Sequence, residues 1–370
     1  MGSVFFTKTA IVTALGTSLQ ETWQKLLSSE SAVKPINYFR TDRLDYHQAS
    51  FIRNLRSNMD QNHVCELMSL VLEQLGPVPE DTKIIWTGIK GNAEYIESDQ
   101  TITGPYLPVD YRTWIAEKLG IVNNGLEVNA ACASSTVGIA LAAQKINSGE
   151  CNNVLICAAD LASRFVHTGF SALKALSPTT VRPFDKNRDG LALGDGAVAI
   201  LLTNEESVRV NNLPVSGKLT GWGIANDANH ITGPARDGCG LILAVENALK
   251  MSGKNANELE AFCAHGTGTV YNDGMELAAV EQIFGEKYLP IFSVKGAIGH
   301  TLGAAGGIES VLCLEALNNR MIPPTVGLEE AEDQALNRIS GKMQSFAGNN
   351  MLTSNSGFGG VNAALIIEKA

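Results

Sequence analysis

Leu126-Glu127-Val128-Asn129-Ala130-Ala131-Cys132-Ala133-Ser134-Ser135-Thr136-Val137 reads as a short strand that turns into a helix. From Ala133 to Ala143 the chain carries no charge, and its only polar side chains are hydroxyls. A helix of that sequence is apolar or small on every face and is therefore buried, with Ser134, Ser135 and Thr136 bonding back to preceding carbonyls or to neighbours. The pattern returns in the second half of the chain, where the strand-like Ile291-Phe292-Ser293-Val294 leads through His300 into Leu302-Gly303-Ala304-Ala305-Gly306-Gly307. What lies upstream repeats as well. In the first half a helical pattern (His63 to Leu75), a turn (Gly76-Pro77-Val78-Pro79) and the strand Lys83-Ile84-Ile85-Trp86 follow one another. In the second the same order is kept by Leu241 to Met251, Ser252-Gly253 and Ala261-Phe262-Cys263-Ala264. Helical and strand-like segments alternating from end to end give an α/β class, and self-similarity on a half-chain scale predicts a duplicated architecture of two similar halves. We divide it into residues 1–213, with Cys132, and 214–370.

The 370 residues hold 28 Lys plus Arg against 38 Asp plus Glu, a net charge of −10. Without a run of Lys or Arg, that balance argues against nucleic acid or an anionic membrane as the main partner. Only 18% of the residues are charged and 45% are apolar, which predicts a surface partly covered by another subunit, since ~25% charged is usual. The longest uncharged stretch, Met343 to Ile367, is studded with Gly, Asn and Ser and is no membrane span. The N-terminal residues lack a secretory or myristoylation pattern, so a cytoplasmic location is expected. Seven cysteines, odd in number, scattered and without a CxxC pair, disfavour a disulfide framework and a zinc site.

Chemistry concentrates at a few places. Cys132 stands where the strand becomes the buried helix, and a thiol at a helix N-terminus feels unpaired N–H groups that favour the thiolate. The other six cysteines read as small buried hydrophobes. His265 and His300 occupy Gly-rich turns, Ala264-His265-Gly266-Thr267-Gly268-Thr269 and Gly299-His300-Thr301-Leu302-Gly303. Glycines bring backbone close to a ligand, so a histidine held there points at a site; His47, His63 and His167 have no such setting and read as structural. Lys295, five residues before His300, and Glu309, nine after it, are either charges standing behind the histidines or a buried pair. Met351 to Ile367 reads as strand, turn, strand, with Gly357-Phe358-Gly359-Gly360 at the turn, where a glycine-flanked Phe can swing and free N–H groups can bind an oxyanion. Arg182 to Gly190 reads as a loop knitted by ion pairs.

In order and spacing, these motifs resemble the β-ketoacyl-acyl-carrier-protein synthases, the elongating ketosynthases of fatty-acid and type II polyketide systems. The resemblance is carried by Ala131-Cys132-Ala133-Ser134-Ser135, by Arg182-Pro183-Phe184-Asp185 through Gly194-Asp195-Gly196-Ala197, by His265-Gly266-Thr267-Gly268-Thr269 with Asp273, by Lys295 through His300 to Glu309, and by Gly357-Phe358-Gly359-Gly360. It implies the duplicated thiolase fold, with five layers α/β/α/β/α, and a Cys-His-His site. Cys132 would accept an acyl group from an acyl carrier protein as a thioester. His265 and His300 would hydrogen-bond the thioester carbonyl of malonyl on a second carrier protein as CO₂ leaves, so that the enolate attacks the acyl group. No cofactor is implied, because decarboxylation supplies the carbanion without metal or flavin. The N–H groups of Cys132 and Phe358 would form the oxyanion hole, Phe358 the gate, Lys295 and Glu309 the electrostatic support. Thr267, Thr269, Gly357 and Gly359 would line the substrate path. Carrier-protein docking would fall on Arg53, Arg56 and Arg209, and the assembly would be a homodimer or a heterodimer with a chain-length factor.

Two departures stand out. The chain is a few tens of residues shorter than is usual, near the N-terminus and in Ile89 to Trp114, where the family builds its cap and part of the acyl pocket. Ser356 stands where many members have Phe. The compactness resembles ketosynthases of aryl-polyene-like systems. A chain-length factor acting only as partner would lack the nucleophile, and a thiolase would need a second cysteine in its C-terminal loop, where this chain has Phe358.

Overall fold

The order of its strands gives the molecule its repeat. The structure, a computed structural model, describes residues 3–41, 45–56, 62–94, 109–122, 125–335 and 337–370. Ten strands form one sheet: β1 (Val4–Thr13), β2 (Lys83–Trp86), β3 (Leu126–Glu127), β4 (Asn153–Asp160), β5 (Gly196–Asn204), β6 (Gly217–Asn226), β7 (Phe262–Cys263), β8 (Ile291–Phe292), β9 (Asn350–Gly357) and β10 (Val361–Glu368). Their order is β8-β7-β9-β10-β6-β1-β5-β4-β2-β3. Read outward from the middle, the first half runs β1-β5-β4-β2-β3 and the second β6-β10-β9-β7-β8. In each half the first two pairings are antiparallel and the last two parallel. The two halves meet along β1 and β6, which pair only from Val4↔Leu219 to Phe6↔Gly217.

The helices are α1 (His63–Leu75), α2 (Ser134–Asn147), α3 (Arg164–Ala172), α4 (Cys239–Ser252), α5 (Val270–Phe284) and α6 (Ala305–Asn319). Strand alternation sorts them into layers. Val154, Ile156, Val198, Ile200 and Leu202 of the first half and Met351, Leu365 and Ile367 of the second point inward, onto Ile139, Ala143 and Ile146 of α2 and Ile308, Leu312 and Ala316 of α6. Leu155, Cys157, Ala199 and Leu201 point the other way, onto Val64, Met68 and Val71 of α1. Leu352, Ala364 and Ile366 do the same toward Leu241, Val245 and Ala248 of α4. Helix, one half of the sheet, paired central helices, the other half of the sheet, helix is the five-layer α/β/α/β/α arrangement. Strands covered on both faces need a continuous apolar run, which is why β4 and β5 read as apolar without a break from Val154 to Ala159 and from Ala197 to Leu202.

α2 and α6 approach closely because glycine allows it. A Cβ on Gly306 would lie 1.9 Å from Thr136 Oγ1 and 2.3 Å from Asn355 Oδ1. The Arg182–Gly190 loop is held by ion pairs, Arg182 to Glu329 at 3.2 Å, Lys186 to Glu330 at 2.8 Å and Arg188 to Glu332. Among the described residues no helix is long and apolar enough to cross a membrane.

Candidate active site

The short parallel strands β3, β7 and β8 deliver their C-terminal ends to one cleft, as open α/β sheets do. After β3 the backbone turns sharply. Ala131 sits at φ 49°, Ser134 N–H donates to Ala131 O at 3.1 Å, and Ser134 Oγ accepts from Ala130 N–H at 2.8 Å while donating to Ala131 O at 2.6 Å. This turn sets Cys132 just ahead of α2, 5% exposed. Burial pushes its thiol up to about 11, with Lys295 and Lys90 pulling in the other direction. The expectation of a resting thiolate is therefore corrected: loss of solvation outweighs the nearby positive charge.

His265 follows β7 on a loop suspended from two buried carboxylates. Glu276 accepts from the N–H groups of His265 and Gly266, both at 2.7 Å, and Asp273 from those of Thr267 at 2.9 Å and Gly268 at 3.1 Å. Gly266 and Gly268 adopt φ 40° and 81°, and a Cβ on Gly266 would come within 2.5 Å of Ser293 Cβ. His300 is pinned across the halves, its N–H donating to Ala192 O at 2.7 Å and its carbonyl accepting from Gly194 N–H at 3.0 Å. The two imidazoles lie 5.1 Å apart, edge to face at 83°. Burial first, then the Lys295 charge, holds both well below the usual histidine range, His300 also acting on His265. Both rings are thus neutral. His300 Nδ1 accepts from Leu302 N–H at 3.3 Å, and His265 Nδ1 faces Lys295 Nζ at 3.2 Å and Asn355 Nδ2 at 3.0 Å. An Nδ1 that accepts leaves the ring's single proton on Nε2, as at His300.

Lys295 and Glu309 form a buried ion pair, each side chain 1% exposed. Lys295 Nζ also donates to His265 O at 2.5 Å. Asn355 adds a link absent from the sequence reading: its Nδ2 donates to Glu309 Oε2 at 2.7 Å and its Oδ1 accepts from Thr136 Oγ1 at 2.5 Å. The β9–β10 turn closes the other side. A Cβ on Gly357 would lie 2.6 Å from Ala130 O and 3.2 Å from Cys132 N, so glycine is what lets this turn approach the cysteine backbone. Phe358, 36% exposed, stacks on Phe170 of α3 with centroids 5.7 Å apart, and Gly359 N–H donates to Ile231 O at 2.7 Å.

Cys132, His265, His300, Thr267, Thr269, Gly357 and Phe358 all line one cleft of about 650 Å³. Gly359 lies in the adjoining turn, while Lys295 and Glu309 stand behind His265. The basic residues anticipated for docking do not gather at this mouth. Arg56 is withdrawn from the surface, its side chain 4% exposed and bonded to Asp195 at 2.5 and 2.9 Å and to Glu94 at 2.6 Å; a motif carboxylate took the charge that sequence left unpaired. Arg209 is at the wrong end of the sheet. Gly196 of β5 pairs with Asp160 beside the site, whereas Thr203 pairs with Asn153, about 24 Å away at the rise of a strand, and Arg209 follows Thr203. Arg53 is exposed but lines a separate cleft with Lys25, Lys34 and Tyr38. The exposed cations that do line the site's cleft are Lys174 and Arg236, the latter over the Tyr271 ring at 5.2 Å. Position alone selects them, which no motif could have signalled. Much of the shortened Ile89–Trp114 region, residues 95–108, lies outside the described residues.

Comparison with known proteins places these features in a family. Residues 111–207 match "Beta-ketoacyl synthase, N-terminal domain" and residues 216–329 "Beta-ketoacyl synthase, C-terminal domain". A 3-oxoacyl-[acyl-carrier-protein] synthase 2 of Synechocystis is 30% identical, the match covering 99% of this chain and 98% of the relative. Among solved structures, the ishigamide ketosynthase/chain length factor superposes with a TM-score of 0.90 at 26% identity, covering 100% of this chain and 99% of the other. A ketosynthase in complex with its chain length factor from Xenorhabdus doucetiae gives 0.82 at 25% identity, covering 100% and 98%.

Proposed function

The chain belongs to the β-ketoacyl synthase family, and on that premise we propose that it catalyses decarboxylative Claisen condensation of malonyl carrier protein with an acyl group held on Cys132. One observation carries this reading: a buried thiol and two buried imidazoles held neutral line the same cleft.

In the first half-reaction the Cys132 sulfur attacks the acyl thioester, the thiol proton passes to the departing carrier thiolate, and the acyl group remains on Cys132. The oxyanion lies against the N–H groups of Cys132 and Phe358. In the second, the malonyl carboxylate leaves as CO₂ and its bonding electrons become an enolate, whose oxygen accepts from Nε2–H of His265 and of His300. The enolate carbon attacks the acyl carbonyl, the tetrahedral intermediate collapses with loss of the Cys132 thiolate, and that thiolate takes up a proton from solvent at the open end of the cleft. Neutral donors suit this step, since preorganised N–H groups of buried side chains stabilise charge as it develops. Lys295 and Glu309 keep a fixed charge pair behind His265. Phe358 swings off Phe170 to admit the malonyl arm past Thr267 and Thr269, with Gly357 and Gly359 giving the turn its freedom.

The reading extends to organisation. The two halves divide at 213/214, between the last strand of one set and the first of the other, and each contributes part of the site. The protein works in the cytoplasm as a dimer, with itself or with a chain-length factor as in the solved relatives, and its partner is a carrier protein that arrives at the mouth bearing Lys174 and Arg236. Arg53 remains a proposed contact on the neighbouring cleft. The pathway is fatty-acid or type II polyketide elongation.

Variants at the three residues test the chemistry. Cys132→Ala should lose condensation yet still release CO₂ from malonyl carrier protein, because the histidines and not the thiol stabilise the enolate. His265→Ala and His300→Ala should each lose CO₂ release by at least about 100-fold, the scale for deleting one oxyanion donor. Condensation by the alanine variant of Cys132, or near-normal CO₂ release by either histidine variant, refutes the assignment of that residue.

A further inference from the structure

Resting on the ketosynthase reading and deepening it, we propose that Asn355 is a positioning residue that fixes His265 as an Nε2–H donor. A neutral imidazole has one N–H, and the nitrogen that bears it is decided by what the other nitrogen meets. Nδ1 of His265 meets two donors, Asn355 Nδ2 at 3.0 Å and Lys295 Nζ at 3.2 Å. The ammonium gives two of its three N–H groups to nearer acceptors, His265 O and Glu309 Oε1, and the amide, at the shorter distance, is the better placed of the two to hold Nδ1. The amide itself could point either way, and its neighbours settle which. Glu309, paired with Lys295, only accepts, and it lies 2.7 Å from Nδ2; the Thr136 hydroxyl, 2.5 Å from Oδ1, supplies the proton that the oxygen needs. Turned over, the amide would set its oxygen against both a carboxylate and the Nδ1 lone pair. In the observed orientation one N–H goes to Glu309 and the other to His265.

Thr136 stands on the first turn of α2, four residues after Cys132, and Gly306 of α6 makes room for its contact with Asn355. The helix that begins just after the nucleophile therefore sets the amide, and the amide sets the imidazole of the other half. Donor and nucleophile are aligned through one buried chain of hydrogen bonds.

The test uses the full-length protein labelled with ¹⁵N-histidine, with His265→Ala assigning the resonances. In the unmodified protein His265 should show the Nε2–H tautomer pattern. Asn355→Leu should mix in the Nδ1–H form and lower kcat for CO₂ release from malonyl carrier protein by about 10-fold or more, in line with a misplaced or wrong-tautomer imidazole, with KM little changed. Acylation of Cys132, followed by mass spectrometry, should remain near the unmodified rate. Thr136→Val, which frees the amide to turn over while leaving it in place, should shift the same signals in the same direction by less. The proposal is overturned if Asn355→Leu keeps both the ¹⁵N pattern and the CO₂ rate, or if acylation falls in step with CO₂ release, which would mark Asn355 as merely structural. Should the unmodified protein neither load Cys132 nor release CO₂, the ketosynthase reading fails, while the ¹⁵N pattern of Asn355→Leu still decides the tautomer assignment.

Discussion

Cys132 meets two opposing influences, the positive end of α2 with Lys295 and Lys90 nearby, and the loss of water around a side chain 5% exposed. Burial is the larger, and it places the thiol at about 11. At neutral pH the resting residue is therefore a thiol, and the fraction of thiolate rises ten-fold for each pH unit below that value. Alkylation of Cys132 by iodoacetamide, read peptide by peptide, should climb steadily from pH 7 to pH 9.5; a plateau below pH 8 would mean that charge and dipole outweigh desolvation after all. A resting thiol also fits the chemistry. The proton that acylation must deliver to the departing carrier thiolate is already on the sulfur.

At the scale of elements, what holds the site together is where strand ends and helix starts touch. Asp160, the last residue of β4, accepts from Ile89 N–H at 3.1 Å, Lys90 N–H at 3.0 Å and Gly303 N–H at 2.9 Å, so it ties the segment after β2 to the turn after His300. Burial raises its carboxyl to about 7, against ~3.9 in an unfolded chain. Between those values the native state holds the proton that the unfolded state has lost, so this group's contribution to stability falls as pH rises through the window. The buried histidines act oppositely, their lowered pKa values favouring the fold as pH rises, but they are common to both proteins when a variant is compared with its parent. The difference in urea midpoint, Asp160→Asn minus unmodified, should therefore move in favour of the variant between pH 5 and pH 8. A difference that stays constant shows that Asp160 does not titrate there. Gly306→Ala tests the contact between central helices: with no room for a Cβ, overpacking should cost about 1–3 kcal/mol, measurable by denaturant melts, and unchanged stability would show that α2 and α6 can separate freely.

Elements of this kind show what sequence could carry. α1, α4 and β2 were legible because apolar periodicity and glycine stops are local; the repeat was legible because both halves kept the same order. His265, His300 and Cys132 stood out through glycine or small-residue settings. Asn355, Glu276 and Thr136 did not, since each acts through a neighbour that only the sheet order brings close. Arg56 misled for the same reason: its partner Asp195 lies in the neighbouring strand segment, far along the chain.

For the whole molecule the unresolved tension is charge. A protein of net charge −10 repels acidic carrier proteins at long range, so productive encounter needs a local basic rim, and beyond a Debye length of ~10 Å at 0.1 M salt the net charge is largely screened. That rim must lie where the carrier's arm can enter. Lys174 and Arg236 line the cleft and are exposed, sharing it with the carboxylates Asp189 and Asp227; Arg209 is at the other end of the sheet and Arg56 is spent inside on Asp195 and Glu94. Rim charges act on encounter more than on chemistry. Reversal of both in Lys174→Glu/Arg236→Glu should therefore raise KM for acyl carrier protein and flatten its dependence on salt while leaving kcat nearly unchanged. Arg209→Glu provides the contrast, because a charge on the far face should alter neither constant. If Arg209→Glu raises KM and the double variant does not, the carrier protein approaches by a different face, and the arm that reaches Cys132 must enter by another route than this cleft.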